Sequence, residues 1–403
     1  MTRPAPYARS LAALLLALVG CRGADDAGGA PNIGPAAGGD RAPEVTEPAA
    51  LAVDASAPPP AWRELSVAHW LPGPASKARL ADQARAELAA GCPACHELEH
   101  SQWRESEHAG AWSSDTFQRA FTREPLRFCQ RCHAPEADPN AAPSIWSGSL
   151  GVGCITCHLD DDGAHIWTAG DKASPPVELG CARPIARSPA FAGPQACARC
   201  HEFDFPDSAI RAQPLAMQST ITEHRASLAS ERACIDCHMP EGDAHRFPGA
   251  HDPRMLRRAL RVRAWRDGRR VTLDLSPGLV GHAVPTGDLF RRLEVSLLAV
   301  DAAGEERVLG RRWLGRRFAP RHQPSGLTTT DEIEDSRVGP EGLSLRFALP
   351  SELAGNLQWR VVHQRVLHAG PTPMSDVLDG SIELARGPVL DAQPSPPVSP
   401  TVD

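Results

Sequence analysis

One five-residue word, Cys-x-x-Cys-His, is written five times within about 150 residues, and it limits what this chain can become more than any other feature. The copies are Cys92 to His96, Cys129 to His133, Cys154 to His158, Cys197 to His201 and Cys234 to His238. Two thiols three positions apart can form thioethers with the two vinyl groups of one porphyrin, and the histidine that follows sets an imidazole under the iron. Disulfides, redox pairs and zinc ribbons also use Cys-x-x-Cys, but none of them needs a histidine next in line. Histidine is 16 of 403 residues, so five chance occurrences would be on the order of one in ten million. A zinc ribbon would pair its words two by two and leave a fifth over. The expected cofactors are five covalently bound haem c groups with their iron. Cys92, Cys95, Cys129, Cys132, Cys154, Cys157, Cys197, Cys200, Cys234 and Cys237 form the thioethers, and His96, His133, His158, His201 and His238 are the proximal ligands.

Five porphyrins held by fewer than about 160 residues supply apolar surface that side chains would otherwise provide, and they must lie almost in contact. The haem region is therefore expected to be mainly short helices and irregular wrapping loops, with 97–112 and 217–232 long enough to be helices. Stretches 85–150 and 175–215 hold too many prolines and glycines for a large regular core. Beyond about Leu256 the pattern becomes alternating strands at 270–275, 293–300, 306–314, 343–349, 357–363 and 381–384, with Asp301 to Gly304 as a hairpin turn. The fold class is α+β and multidomain: a multihaem domain at 65–255, then a small antiparallel β-sandwich at 256–386.

Both ends read as something other than fold. Residues 1–20 carry Arg3 and Arg9 ahead of a short apolar run, Leu11 to Val19, too short to remain as a membrane span. Leu18-Val19-Gly20-Cys21 has the form of a bacterial lipobox, so Cys21 is the expected site of lipidation, against the alternative of an ordinary signal peptide with an incidental cysteine. The chain is then exported and lipid-anchored in the cell envelope, periplasmic or at the outer membrane, and Arg22 rather than Asp leans toward the latter. Residues 21–64 are a flexible Ala, Gly, Pro and Asp tether, and 387–403 a proline-rich disordered tail. With 42 Lys plus Arg against 49 Asp plus Glu the net charge is −7. Arginine pairs such as Arg311-Arg312 and Arg316-Arg317 therefore suit propionates or a solvated face, and nucleic-acid binding is not expected.

Function turns on the sixth ligand of each iron. His108 stands near the end of an expected helix as a distal candidate; its plainer role is a helix C-terminal cation. An internal repeat supports two more: His158 is followed after a turn by Ala164-His165, and His238 by Ala244-His245. Each would ligate a neighbouring haem, being too near its own word. His282, in Gly281-His-Ala-Val-Pro285-Thr-Gly287, is a reach-back ligand or a hydrogen bonder within its turn, and His251 is a further distal candidate. His69, His100, His224, His322, His363 and His368 suit surfaces or strands, and Met217, Met239 and Met255 suit packing. A second echo sets Ser101-Gln-Trp103-Arg-Glu-Ser106-Glu-His108 beside Thr222-Glu-His224-Arg-Ala-Ser227-Leu-Ala229, where the later copy has lost its final histidine. Cys181 is the one cysteine left over, a free thiol, a sulfur ligand or an intermolecular disulfide.

The order of the words, with Trp103-x-x-Ser106-x-His108-Ala109, Phe128 before the second word, Gly151-Val-Gly before the third and Met-Pro after the fifth, resembles multihaem cytochromes of the cytochrome c-554 type. The Gly281 to Gly287 loop is similar to that of multihaem proteins with a C-terminal sandwich. The resemblance implies electron transfer on the exported side of the membrane through stacked, mostly bis-His haems. Its partners would be other cytochromes or a quinol-oxidising complex. The alternative is a haem reductase or oxidoreductase acting on a small nitrogen or sulfur oxyanion at one five-coordinate haem. The chain has no Cys-x-x-Cys-Lys word, and its one tyrosine, Tyr7, lies in the leader. The lysine-ligated haem of pentahaem nitrite reductases and the tyrosine-crosslinked haem of hydroxylamine oxidoreductases are therefore both excluded. No catalytic residues are assigned, and an electron carrier is favoured over an enzyme.

Overall fold

The computed structural model describes residues 82–123, 125–138, 141–160, 162–170, 184–205, 215–322, 328–353, 355–369 and 372–391. The leader, Cys21, the tether, His69, Cys181 and the end of the tail lie outside the described residues. The described part has helices and sheets in sequence-separated regions, an α+β arrangement.

The haem-word region is built from short helices, among them Asp82–Gly91, Glu97–Arg104, Asp115–Arg123, Ile145–Leu150, Gln195–His201 and Thr220–Arg225. Two run shorter than the sequence suggested, and both stop in the same way. After Arg104 the chain tightens to bonds three residues apart, with Ser106 N donating to the Trp103 carbonyl at 2.9 Å, and the Ser106 hydroxyl takes that same carbonyl at 2.6 Å. After Arg225, Ser227 N and Oγ donate to the His224 carbonyl at 3.0 and 2.8 Å. A serine hydroxyl that competes for a backbone carbonyl closes a helix. Two small ribbons were not foreseen: β1 (Ile166–Ala169) runs parallel to β2 (Ile185–Ser188), and β3 (Glu202–Asp204) antiparallel to β4 (Ala216–Ser219).

A buried ion pair ties the first helix to the words. Arg85 Nε donates to Glu136 Oε2 at 2.7 Å, both side chains are almost fully buried, and Glu136 Oε1 accepts from Thr156 Oγ1 at 2.8 Å. Thr156 lies inside the third word, so this carboxylate joins three segments.

From Leu260 onward the chain is strands: β5 (Leu260–Asp267), β6 (Arg270–Pro277), β7 (Arg291–Val300), β8 (Glu306–His322), β9 (Thr328–Asp335), β10 (Leu343–Ala348), β11 (Asn356–His368), β12 (Val377–Pro388) and β13 (Leu390–Asp391). They form two sheets, ordered β10-β6-β5-β13 and β12-β11-β7-β8-β9, antiparallel except where β13 lies parallel to β5. Alternation decides which face is inward. Val271, Leu273 and Leu275 on β6 and Leu293, Val295 and Leu297 on β7 are buried in one cluster shared by both sheets, together with Phe347, Trp359, Val361 and Leu384. Each such side chain contributes about 1.5–3 kcal/mol. The last strand reaches past the expected start of the tail at 387, because Trp359 Nε1 donates to the Pro388 carbonyl at 3.1 Å and Val389 N to the Leu357 carbonyl at 3.0 Å. The 301–304 turn forms as its sequence suggests, with Asp301 Oδ1 accepting from Ala303 N and Glu305 N at 2.9 Å and Gly304 at φ +86°.

The sheets are bonded to the word region. Arg316 Nη2 donates to the Ala216 carbonyl at 2.8 Å, and Arg123 lies 3.1 Å from the His368 ring. The β6–β7 connection, which carries His282, bridges to Val338 through Val284.

Candidate haem centres

Each word sits on a helical turn. His96 N donates to the Cys92 carbonyl at 3.0 Å and His238 N to the Cys234 carbonyl at 2.9 Å. On such a turn the first thiol, the second thiol three positions on and the imidazole four positions on share one side. None of the ten word cysteines is joined in a disulfide. Thiols of different words lie close enough to influence each other: Cys92 with Cys154, Cys132 with Cys200, and Cys197 with Cys234. In each pair one thiol is held up and the other down, as expected of two groups sharing a proton. Burial pushes Cys157 up to about 12.

Four of the five word histidines turn Nδ1 onto an acceptor. His133 donates to the Ala111 carbonyl at 2.7 Å, His158 to Trp167 at 2.9 Å, His201 to Gln218 Oε1 at 3.0 Å and His238 to Pro248 at 2.7 Å. A ring that donates through Nδ1 is left with Nε2 as its free ligand atom, fixed in tautomer and direction. Burial lowers the pKa of His133, His158 and His201, so these imidazoles are neutral, the form a metal needs. His96 differs: its side chain is 62% exposed, with Nδ1 3.8 Å from Glu99.

Three word histidines face a second imidazole at nearly one spacing. Ring centres are 6.4 Å apart for His108 and His201, 6.3 Å for His245 and His158, and 6.3 Å for His282 and His238. An imidazole–metal bond is about 2 Å and the ring centre lies about 1 Å behind the nitrogen, so two imidazoles on one iron have centres about 6 Å apart. The side chains fit the group. Burial also brings His108 and His282 down to about 4, again neutral rings. Phe247 packs edge-on to His108 at 4.6 Å and to His245 at 5.9 Å, from a left-handed backbone position at φ +50° that a phenylalanine seldom takes.

Two candidates sit elsewhere. His165 is tied to its own turn, with its backbone N on Asp160 Oδ1 at 3.0 Å and Nδ1 on Asp160 Oδ2 at 3.1 Å, and its ring neighbour is Trp167 rather than a word histidine. His251 is half-exposed, with Nε2 3.8 Å from Glu107. The His133 ring stacks on Phe117 at 3.8 Å.

Sequence reasoning missed the residues that hold the facing histidines. Gln102 is buried, donates to the Gly242 carbonyl at 2.7 Å and accepts from His245 N at 3.1 Å. Glu223 accepts from Ala283 N at 3.2 Å and Thr286 Oγ1 at 2.6 Å on one oxygen, and from Ser219 Oγ and Arg337 Nη1, both at 2.7 Å, on the other. The signal was present, since both residues fall inside the echo that begins at Ser101 and Thr222.

Near His133 and His251, Asp288 lies 3.0 Å from Arg291 Nε and 3.8 Å from Arg365 Nε. Burial pushes its carboxyl up, but the two guanidiniums outweigh that, and its pKa falls below the ordinary value. Burial likewise opposes Glu223, whose pKa is lowered by Arg337 and its hydroxyl donors. A depressed folded pKa gives stability that is full above the unfolded value of about 4 and lost as pH falls through the folded one. The Asp288 contribution should therefore be complete above about pH 5 and be lost on further acidification, so the melting temperature of Asp288→Asn should fall less steeply than the parent's below about pH 5. An unchanged slope would mean Asp288 does not carry this linkage.

Residues 91–159 match the family model described as Cytochrome c554 and c-prime. No curated protein matches the chain. Among solved structures, a penta-heme cytochrome c552 from Thermochromatium tepidum is similar in fold with a TM-score of 0.53 at 23% identity, over 74% of this chain and 97% of that one.

Proposed function

We propose that this chain, a multihaem c-type cytochrome with covalently bound haem c and a role in electron transfer, holds five haems, at least three of them between paired histidines. The carrying observation is the common 6.3–6.4 Å separation of the His108/His201, His245/His158 and His282/His238 rings. Bound haem supplies a reversible one-electron iron couple. The chain's own residues fix the Nδ1 protons of His158, His201, His238 and His282 on carbonyl or amide oxygens and leave their Nε2 free. Thiol contacts support an order in space in which the first word neighbours the third, the second the fourth and the fourth the fifth. The two sheets with their shared core support reading the C-terminal part as a β-sandwich.

In this reading the chain is exported, anchored through a lipid on Cys21 at the periplasmic or outer membrane, and exchanges electrons with redox partner proteins such as other cytochromes or a quinol-oxidising complex. The test is haem quantitation with low-temperature EPR of the oxidised protein. Five haems per chain with low-spin signals for at least three are expected; fewer than three low-spin haems would overturn the pairing.

A second reading, reduction of a small nitrogen or sulfur oxyanion at a five-coordinate haem, draws on the second word. His133 lies in the field of Arg365 and Asp288, and His251 feels the same two groups and Arg291. A high-spin signal that shifts on adding nitrite would favour it, and an all-low-spin spectrum would remove it.

A further inference from the structure

The Ser101 and Thr222 echoes align Gln102 with Glu223, Trp103 with His224, Ser106 with Ser227 and His108 with Ala229. The structure gives the two copies the same helix stop, through Ser106 and Ser227. It also gives Gln102 and Glu223 the same task. Each reaches from its helix to a backbone N–H at a facing histidine, His245 N for Gln102 and Ala283 N, next to His282, for Glu223.

We infer that Gln102 and Glu223 are positioning residues occupying one site of an internal repeat, and that each aims the distal imidazole of a different haem. The inference rests on the reading of His245 and His282 as distal ligands. Gln102 spends both ends of its amide on one distal segment, the Gly242 carbonyl and His245 N. His245 Nδ1 is buried without a partner, so its ring has no side-chain tether of its own. The backbone bond from Gln102 ties it to the helix Glu97–Arg104, beside the ion pair of Arg246 with Glu105 at the end of that helix.

Glu223 has a harder task. In its copy the repeat no longer ends in histidine, and Ala229 stands where His108 stands in the first copy. The space is used by the β6–β7 loop: a Cβ placed on Gly281 would lie 3.4 Å from Ala229 Cβ and 3.1 Å from His224 Cδ2. A side chain there would have to push the His224 ring back by a few tenths of an ångström, so glycine lets the loop pass close, and His282 follows directly. A ligand that is not on the helix must be fastened to it. Glu223 does this with all its acceptor positions filled, two by the loop through Ala283 N and Thr286, one by Arg337 from beyond the Val284–Val338 bridge, and one by Ser219. A carboxylate with four donors is held in one rotamer, and so is what it holds.

The test compares Glu223→Ala, Thr286→Val, His282→Ala and the Glu223→Ala/His282→Ala double variant as full-length haem-loaded proteins, by haem count and low-temperature EPR. With the haem count unchanged, Glu223→Ala should broaden or shift the same low-spin signal that His282→Ala abolishes, and Thr286→Val should do so to a smaller extent. The double variant should match His282→Ala, because a positioning residue has nothing left to position. Gln102→Ala should leave that signal alone and move the one that His245→Ala removes. If His282→Ala leaves every low-spin signal in place, the ligand reading fails. If it removes one while Thr286→Val and Glu223→Ala leave that signal as in the parent, the ligand reading stands and the positioning role is overturned. Should Glu223→Ala fail to fold, Thr286→Val decides alone.

Discussion

His282→Ala should convert one haem from low spin to high spin while all five haems remain attached. The cause is local. His282 and His238 face each other at 6.3 Å with rings 17° apart, and His282 is buried and held neutral, so its removal leaves one iron with a proximal ligand alone. The low-spin signal of one haem should disappear, and an exogenous imidazole should restore it in the cavity that the side chain vacates. His282→Met offers a gentler form: a thioether in place of an imidazole raises the reduction potential, so that haem should become the easiest to reduce in a redox titration. His165→Ala, by contrast, should leave the spin states alone, because its imidazole is tied to Asp160. A spectrum in which His165→Ala makes an iron high-spin and His282→Ala does not would reverse this assignment.

The second large effect is on stability. Arg85→Ala would strand the Glu136 carboxylate, which is 1% exposed, inside the protein. Removing one partner of a buried ion pair costs about 3–5 kcal/mol, because the remaining charge keeps its desolvation penalty and loses its counter-charge. The loss should appear as a lower denaturation midpoint, and the third word should feel it, since Thr156 shares Glu136. Replacing both partners with apolar residues of similar size, Arg85→Met with Glu136→Leu, should recover most of it. If the double replacement is as unstable as the single one, the hydrogen bond to Thr156, rather than the ion pair, carries the stability.

Local chemistry was legible in the sequence, and long-range geometry was less so. The words could be read because thioether formation and proximal ligation require residues that are contiguous in sequence. His108, His245 and His282 were visible as candidates from an echo and a turn, but the word histidine that each approaches lies 93, 87 and 44 residues away respectively, beyond any local pattern. His165 shows where two copies of a repeat can differ in surroundings. It matches His245 in spacing, yet Asp160 stands where the other copy has Pro240, and that carboxylate captures both the backbone N–H and the ring of His165. Proline offers no such acceptor, so His245 can be taken by Gln102. Among the strands, β6, β7 and β10 were visible through their alternation. β5 was hidden because Arg261, Arg263 and Arg266 crowd its short apolar face, and β9 because Thr-Thr-Thr-Asp-Glu-Ile-Glu-Asp has a single apolar residue, Ile333, and pairs with β8 alone.

The placement of His282 between β6 and β7 sets an order of assembly. Cys234 and Cys237 lie 45 or more residues before His282, so the word that would capture the porphyrin needs only a local turn, whereas the residue that would complete the site depends on the pairing of the sheets. On the proposed ligation, maturation of the fifth centre would have two stages, covalent capture by the word and closure by a folded sheet. The colour of that one haem becomes a gauge of whether the C-terminal strands have paired, during biogenesis and again when denaturant pulls them apart.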